Sequence, residues 1–150
     1  SLIRRSCLVA VGALGFDPRV TDLIRLGLDD DDQMVVAGAV YAMGRTASES
    51  WTPELLDFLR SEDAELRFEA SRAAGLLGDM DTVPELADLV YDVDLEVRAA
   101  ALAALGSIGG PAAIRVLREA GQDEEFEEEE IIDEALDEAH LTIDPLEWQS

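Results

Sequence analysis

The chain has 150 residues, with 34 acidic side chains against 11 basic ones and a net charge of −23, a length suited to one domain. Such acidity disfavours nucleic-acid phosphates and anionic membrane surfaces as partners and favours a basic protein or peptide. Every basic residue is an arginine, so chemistry that needs a lysine amine, such as a Schiff base or a phosphate-loop lysine, is absent.

The first element is apolar and helical from Leu2 onward and has no capping turn before it, which reads as the interior of a longer array. Its uncharged stretch from Ser6 to Phe16 is too short to span a bilayer, and no secretory signal is visible. Cys7, the single cysteine, falls within the apolar run Cys7 to Val11 and reads as a small buried thiol. No intrachain disulfide is possible, so a reducing, cytoplasmic setting is the default.

Four helices begin at prolines: Pro18 to Leu28, Pro53 to Arg60, Pro84 to Tyr91 and Pro111 to Ala120. Thr82 and Glu85 have capping-box spacing at one of these starts. The acidic run Asp29 to Asp32 lacks the alternating ligands, central glycine and closing glutamate of a calcium loop, and reads as a solvated turn.

Between these helices one pattern recurs about every 31 residues. Its copies are Ile3, Cys7, Ala10, Gly12; Val35, Ala39, Ala42, Gly44; Leu66, Ala70, Ala73, Gly75; and Val97, Ala101, Ala104, Gly106. The spacing marks one stripe of a helix, with alanine at its centre for close approach. The last two copies run on to Gly78 and Gly109, and the terminal glycine of each copy suits a left-handed cap. Asp63 and Asp94 stand where an N-cap is needed. The unit is helix, short acidic turn, helix, which must stack on its neighbours to bury a core.

The run Asp94 to Gly106, with Asp63 to Gly75 behind it, resembles the bacterial HEAT repeat of the phycobilisome-lyase type, and the resemblance covers roughly residues 1–122. It implies an all-α, right-handed α-α superhelix: a solenoid of about four helical hairpins plus a C-terminal capping helix. It also implies that turn aspartates and second-helix arginines pair between neighbouring repeats, here Asp63, Arg67, Asp94 and Arg98. Val36 stands where one such arginine belongs, which predicts a gap in that ladder.

The resemblance further places the second helices on the concave side, where aligned positions are Arg5, Ala37, Phe68, Ala99, Asp133 and, one turn on, Val9, Tyr41, Arg72, Ala103, Asp137. Arg5, Tyr41, Phe68, Arg72, Asp133 and Asp137 are therefore the candidate binding residues, aromatics and arginines being frequent interface anchors. An equal alternative is that Tyr41 and Phe68 only fill gaps between helices.

Residues 123–150 form a second region, with thirteen acidic residues and no arginine. Ile131, Ile132, Ala135, Leu136 and Ala139 keep helical spacing, so Glu127 to His140 reads as a fifth second-type helix capping the array, Ile131 aligning on Val97 and Ala135 on Ala101. Leu141 to Ser150, with Pro145 and Trp148, reads as an extended tail.

His140 is the only histidine and has no second imidazole or thiol cluster with which to hold a metal. The His-Glu pairs used by iron-binding HEAT-repeat hydroxylases are missing, since Leu141 follows His140. HEAT-like DNA glycosylases need a basic concave face, which this chain lacks. No cofactor and no catalytic residue is expected. The reading is a non-enzymatic scaffold that binds a basic protein or peptide in its groove; alternatives are an architectural segment of a larger protein or a subunit of a bilin lyase-like complex. Adaptation to a saline cytoplasm would also account for the acidity.

Overall fold

A computed structural model describes residues 2–14 and 17–141. The tail with Pro145 and Trp148 lies outside the described residues.

Among those residues the chain is all-helical: α1 (Leu2–Gly12), α2 (Pro18–Leu28), α3 (Gln33–Arg45), α4 (Thr52–Leu59), α5 (Ala64–Leu77), α6 (Val83–Leu89), α7 (Leu95–Ile108), α8 (Gly110–Gly121) and α9 (Glu129–Leu141). Each of α2, α4, α6 and α8 starts with proline in its first two positions, where the missing N–H has no intrahelical partner to lose. Asp32, Asp63 and Asp94 each accept hydrogen bonds from backbone N–H groups at the starts of α3, α5 and α7.

The helices alternate between two layers. α1, α3, α5, α7 and α9 pack side by side in sequence, whereas α2, α4, α6 and α8 lie on the hairpin partners that follow them and touch one another sparsely. A close-packed layer joined to a splayed one must curve toward the close-packed side, so the odd-numbered helices line the concave face.

Glycine and alanine set that closeness. A Cβ at Gly12 would stand 2.7 Å from the Ala42 carbonyl oxygen, one at Gly44 2.5 Å from the Ala73 Cα, one at Gly75 3.1 Å from the Ala104 Cα, and one at Gly106 2.8 Å from the Ala135 Cα. The recurrent glycine is thus a helix-contact residue and not a left-handed cap, whereas the terminal glycines of the last two copies, Gly78 and Gly109, do cap α5 and α7 with positive φ. The left-handed positions fall beyond it, at Ala47 (φ 54°), Gly78 (φ 70°) and Gly109 (φ 66°).

The capping box at Thr82 also fails. A 3-10 turn, Met80–Thr82, precedes α6 and is capped by Asp79, while the Thr82 hydroxyl donates back to the Asp79 carbonyl at 2.7 Å. Asp79 in turn accepts from the buried Thr52 hydroxyl of α4 at 2.5 Å. A side chain that could have capped its own helix is used in the turn, and the helices are joined across repeats instead.

Cys7 is exposed, not buried. It lies beside Ile3, Leu23 and Leu26 in an open apolar groove lined by α1 and α2, with Val35 of α3. Periodicity marks an apolar stripe but does not say whether another helix lies on it.

Candidate functional site

The glycine contacts fix a register for the concave face. Gly44 meets Ala73, Gly75 meets Ala104 and Gly106 meets Ala135, one constant offset, so α9 continues the register of α3, α5 and α7. In it Ala135 corresponds to Ala104, not to Ala101, and the alignment of Ile131 on Val97 is corrected accordingly. The burial pattern agrees: Ile132 and Ala135 are buried as Ala101 and Ala104 are. The short acidic turn before α9 misleads the sequence alignment, because it has a different length from those before α5 and α7.

Corrected in this way, the groove positions of α9 are Glu130 and Glu134, both exposed. Asp133 instead takes the place of Val40, Ser71 and Leu102, all fully buried in their own repeats, and Asp137 takes the glycine place. Both aspartates are exposed on the terminal face of the stack. A carboxylate thus stands where the preceding repeats have glycine.

The other four candidates form one cluster. Glu69, only 2% exposed, accepts from Arg5 at 2.7 Å and from Arg72 at 3.1 Å. The Arg72 guanidinium lies 4.2 Å from the centre of the Tyr41 ring and 5.7 Å from that of Phe68. Helices α1, α3 and α5 thus meet in a cation–aromatic cluster organised around one buried carboxylate. Pattern reading missed Glu69, since among 34 acids nothing marks one as buried. The available signal was its register: Gly38, Glu69 and Ala100 are equivalent, and a glutamate among small residues implies an arginine within reach.

Glu69→Gln removes the charge and keeps the shape. Arg5 and Arg72 remain partly exposed, so water screens much of the loss. A drop of about 1–2 kcal/mol is expected in urea unfolding, and an unchanged midpoint would refute the organising role of this carboxylate.

Beside the cluster, Tyr41, Arg72, Gly75 and Leu76 form one wall of a concavity whose floor is Ala100, Ala103, Ala104 and Ser107 of α7. The Ser107 hydroxyl donates to Glu138 of α9 at 3.2 Å. The concave face is therefore graded, from arginine and aromatic rings through an alanine floor to the glutamates of α9.

The inter-repeat ladder runs through the expected arginines, Arg67 and Arg98, but not through the expected aspartates. Arg67 donates from Nε to Asp92 Oδ2 at 2.8 Å and from a terminal nitrogen to Asp92 Oδ1 at 3.0 Å, and its other nitrogen reaches the Ser61 and Glu62 carbonyls, both at 2.9 Å. Arg4 pairs with Asp30 at 2.6 Å. Arg98 donates to the Asp92 carbonyl and lies 3.7 Å from Glu128. Asp63 and Asp94 are occupied as N-caps, so the pairing aspartate is the residue two positions earlier. At the predicted gap, Val36 faces a repeat whose equivalent residue is Ser61, and both members of the pair are replaced.

His140 donates through Nδ1–H to the Leu136 carbonyl at 2.6 Å and lies 3.4 Å from Arg118 through Nε2. Among the described residues no group of three or more His, Cys, Asp or Glu side chains is placed to hold a metal ion, and no helix is long and apolar enough to cross a membrane.

A family model described as HEAT repeats matches residues 52–136. The matched span covers α4 to α8 and enters α9, so the acidic helix is counted among the repeats. No curated protein matches the chain.

Proposed function

The chain belongs to the HEAT-repeat family, and from that membership we propose that it is a non-enzymatic scaffold whose concave face binds a basic protein or peptide in the cytoplasm. Helical repeats of this kind commonly serve protein interactions. The observation that carries the reading is the Tyr41–Phe68–Arg72 cluster beside an alanine floor: rigid aromatic and guanidinium groups, already oriented by Glu69, bind at little entropic cost. The acidic wall of α9 supplies attraction for positive charge and speeds encounter.

The test is capture from the source lysate with the native chain beside a Tyr41→Ala, Phe68→Ala, Arg72→Ala triple variant, the helicity of both being checked by circular dichroism. A protein retained by the native chain and lost by the equally helical variant is the expected result. Identical captures by both would overturn the groove assignment. A second reading, an architectural segment of a larger assembly, draws support from the opposite end of the stack, where Ile3, Leu23 and Leu26 are exposed around the apolar groove of α1 and α2.

A further inference from the structure

We propose that α9 is a charge-gated cap, docked on α7 and α8 when dissolved cations screen its carboxylates and released from them when they do not. From Asp123 to Leu141 the chain has eleven acidic residues and neither arginine nor lysine. On the helix itself the acids fall in two rows of four-residue spacing, Glu129, Asp133, Asp137 and Glu130, Glu134, Glu138. Like charges at that spacing stand one turn apart on the same face and destabilise a helix. α5 differs, since Glu65 and Glu69 there are matched by Arg67 and Arg72.

Little apolar burial opposes this repulsion. α9 buries Ile132 and two alanines, Ala135 and Ala139, whereas α7 buries Val97, Leu102 and Leu105 with four smaller residues. The segment before α9 adds Phe126, buried edge-on against Tyr91 at 5.2 Å. Its ion pair is poor. Arg98 lies 3.7 Å from Oε1 of Glu128, beyond hydrogen-bond length, while Oε2 of the same carboxylate is buried with no hydrogen-bond partner. Glu138 accepts from Ser107 at 3.2 Å, a neutral donor that cancels no charge. A narrow apolar contact thus holds α9 against a repulsion that reaches about 10 Å in 0.1 M salt and about 3 Å in 1 M salt, so ionic strength sets the balance. Release uncovers Gly106 of α7, the equivalent of Gly44 and Gly75, by which α3 and α5 each receive the following helix.

The test is hydrogen–deuterium exchange of the full chain, read by mass spectrometry at neutral pH as protection relative to the unfolded peptide, in about 20 mM and about 1 M NaCl. Amides of α9 are expected to lose about tenfold protection or more at the lower salt, while those of α5 hold theirs. Choline chloride at the same ionic strength should restore α9 as sodium chloride does, because screening needs no particular ion. In Glu130→Gln with Glu134→Gln, which breaks one row and leaves Glu138 to Ser107, the difference between the two salts is expected to shrink to about threefold or less. Ile132→Val, which trims the apolar contact and removes no charge, is expected to raise α9 exchange at both salts.

Protection of α9 that is the same at both salts overturns the proposal. So does a loss shared equally by α5, which would mean that the acidity governs the whole chain. A response to sodium chloride that choline chloride does not reproduce also overturns it, in favour of a bound ion. An undiminished salt dependence in the glutamine variant removes the carboxylate rows as the cause, and unaltered exchange in Ile132→Val removes docking as what protects α9.

Discussion

Gly44→Ala is expected to lower stability by about 3 kcal/mol, although alanine is the better helix former by about 1 kcal/mol. The added methyl would stand 2.5 Å from both the Cα and the carbonyl oxygen of Ala73. Backbone cannot rotate aside as a side chain can, so α3 and α5 must separate and the contacts between them are lost together. Gly75→Ala is the comparison, because its methyl would meet Ala104 at 3.1 Å and 3.3 Å. The helix-propensity gain there offsets most of the crowding, and a change within about 1 kcal/mol is expected. Urea midpoints of the two variants decide between explanations: if these glycines served as caps, the two substitutions would cost alike. Equal effects would sink the close-packing account.

The same positions show what could be read from the sequence. The recurrence of glycine and alanine located the repeats, their helices and their order, because a 3.6-residue period and proline at helix starts are local properties. What glycine does at those positions was not legible. A cap and a close helix contact both call for a missing Cβ, and only the distance to the next repeat separates them. The register of α9 failed for a related reason: alignment by apolar residues tolerates a slip of one turn, whereas the contact of Gly106 with Ala135 does not. Asp133 and Asp137 were thereby assigned to the groove although they fall on the positions of Leu102 and Gly106. Arg5, Tyr41, Phe68 and Arg72 were found together because they share one face of helices whose register had been read correctly.

The ladder shows the limit for charged residues. Asp63 and Asp94 have the spacing both for capping and for pairing, but each spends its Oδ1 on two N–H groups at the start of α5 or α7, and the Oδ2 of Asp63 accepts from Gln33 of the preceding repeat. The guanidinium goes instead to Asp92, which also accepts from the Asp94 N–H, and no repeat pattern distinguishes it from the other acids of the turn.

Arg67→Ala is accordingly expected to cost about 3 kcal/mol, among the largest effects of any single charge removal in this chain. The side chains of Arg67 and Asp92 are 12% and 7% exposed, so the substitution leaves a shielded carboxylate with no guanidinium and leaves the Ser61 and Glu62 carbonyls without a donor. Arg67→Lys keeps the charge but cannot reproduce the two parallel bonds to Asp92 together with those to the carbonyls, and should fall between alanine and wild type. The pH dependence carries a second signature. Burial opposes ionisation of Asp92, but hydrogen bonds from Arg67 and from the Asp94 N–H, with the charges of Arg67 and Arg98, outweigh it and hold the carboxyl below its ordinary range. Its contribution is therefore fully present above the unfolded carboxylate value of about 3.9 and is lost as pH falls through the lower folded value. Without Arg67, burial dominates and that acid loss should shrink, so the gap between wild type and Arg67→Ala narrows in acid. Urea unfolding from neutral pH down to the acid limb would show it; a gap independent of pH would mean that the loss comes from packing and not from the ion pair. Arg19→Ala, at the exposed pair with Asp17, is the control in which water already solvates both charges, and it should leave the curve unchanged.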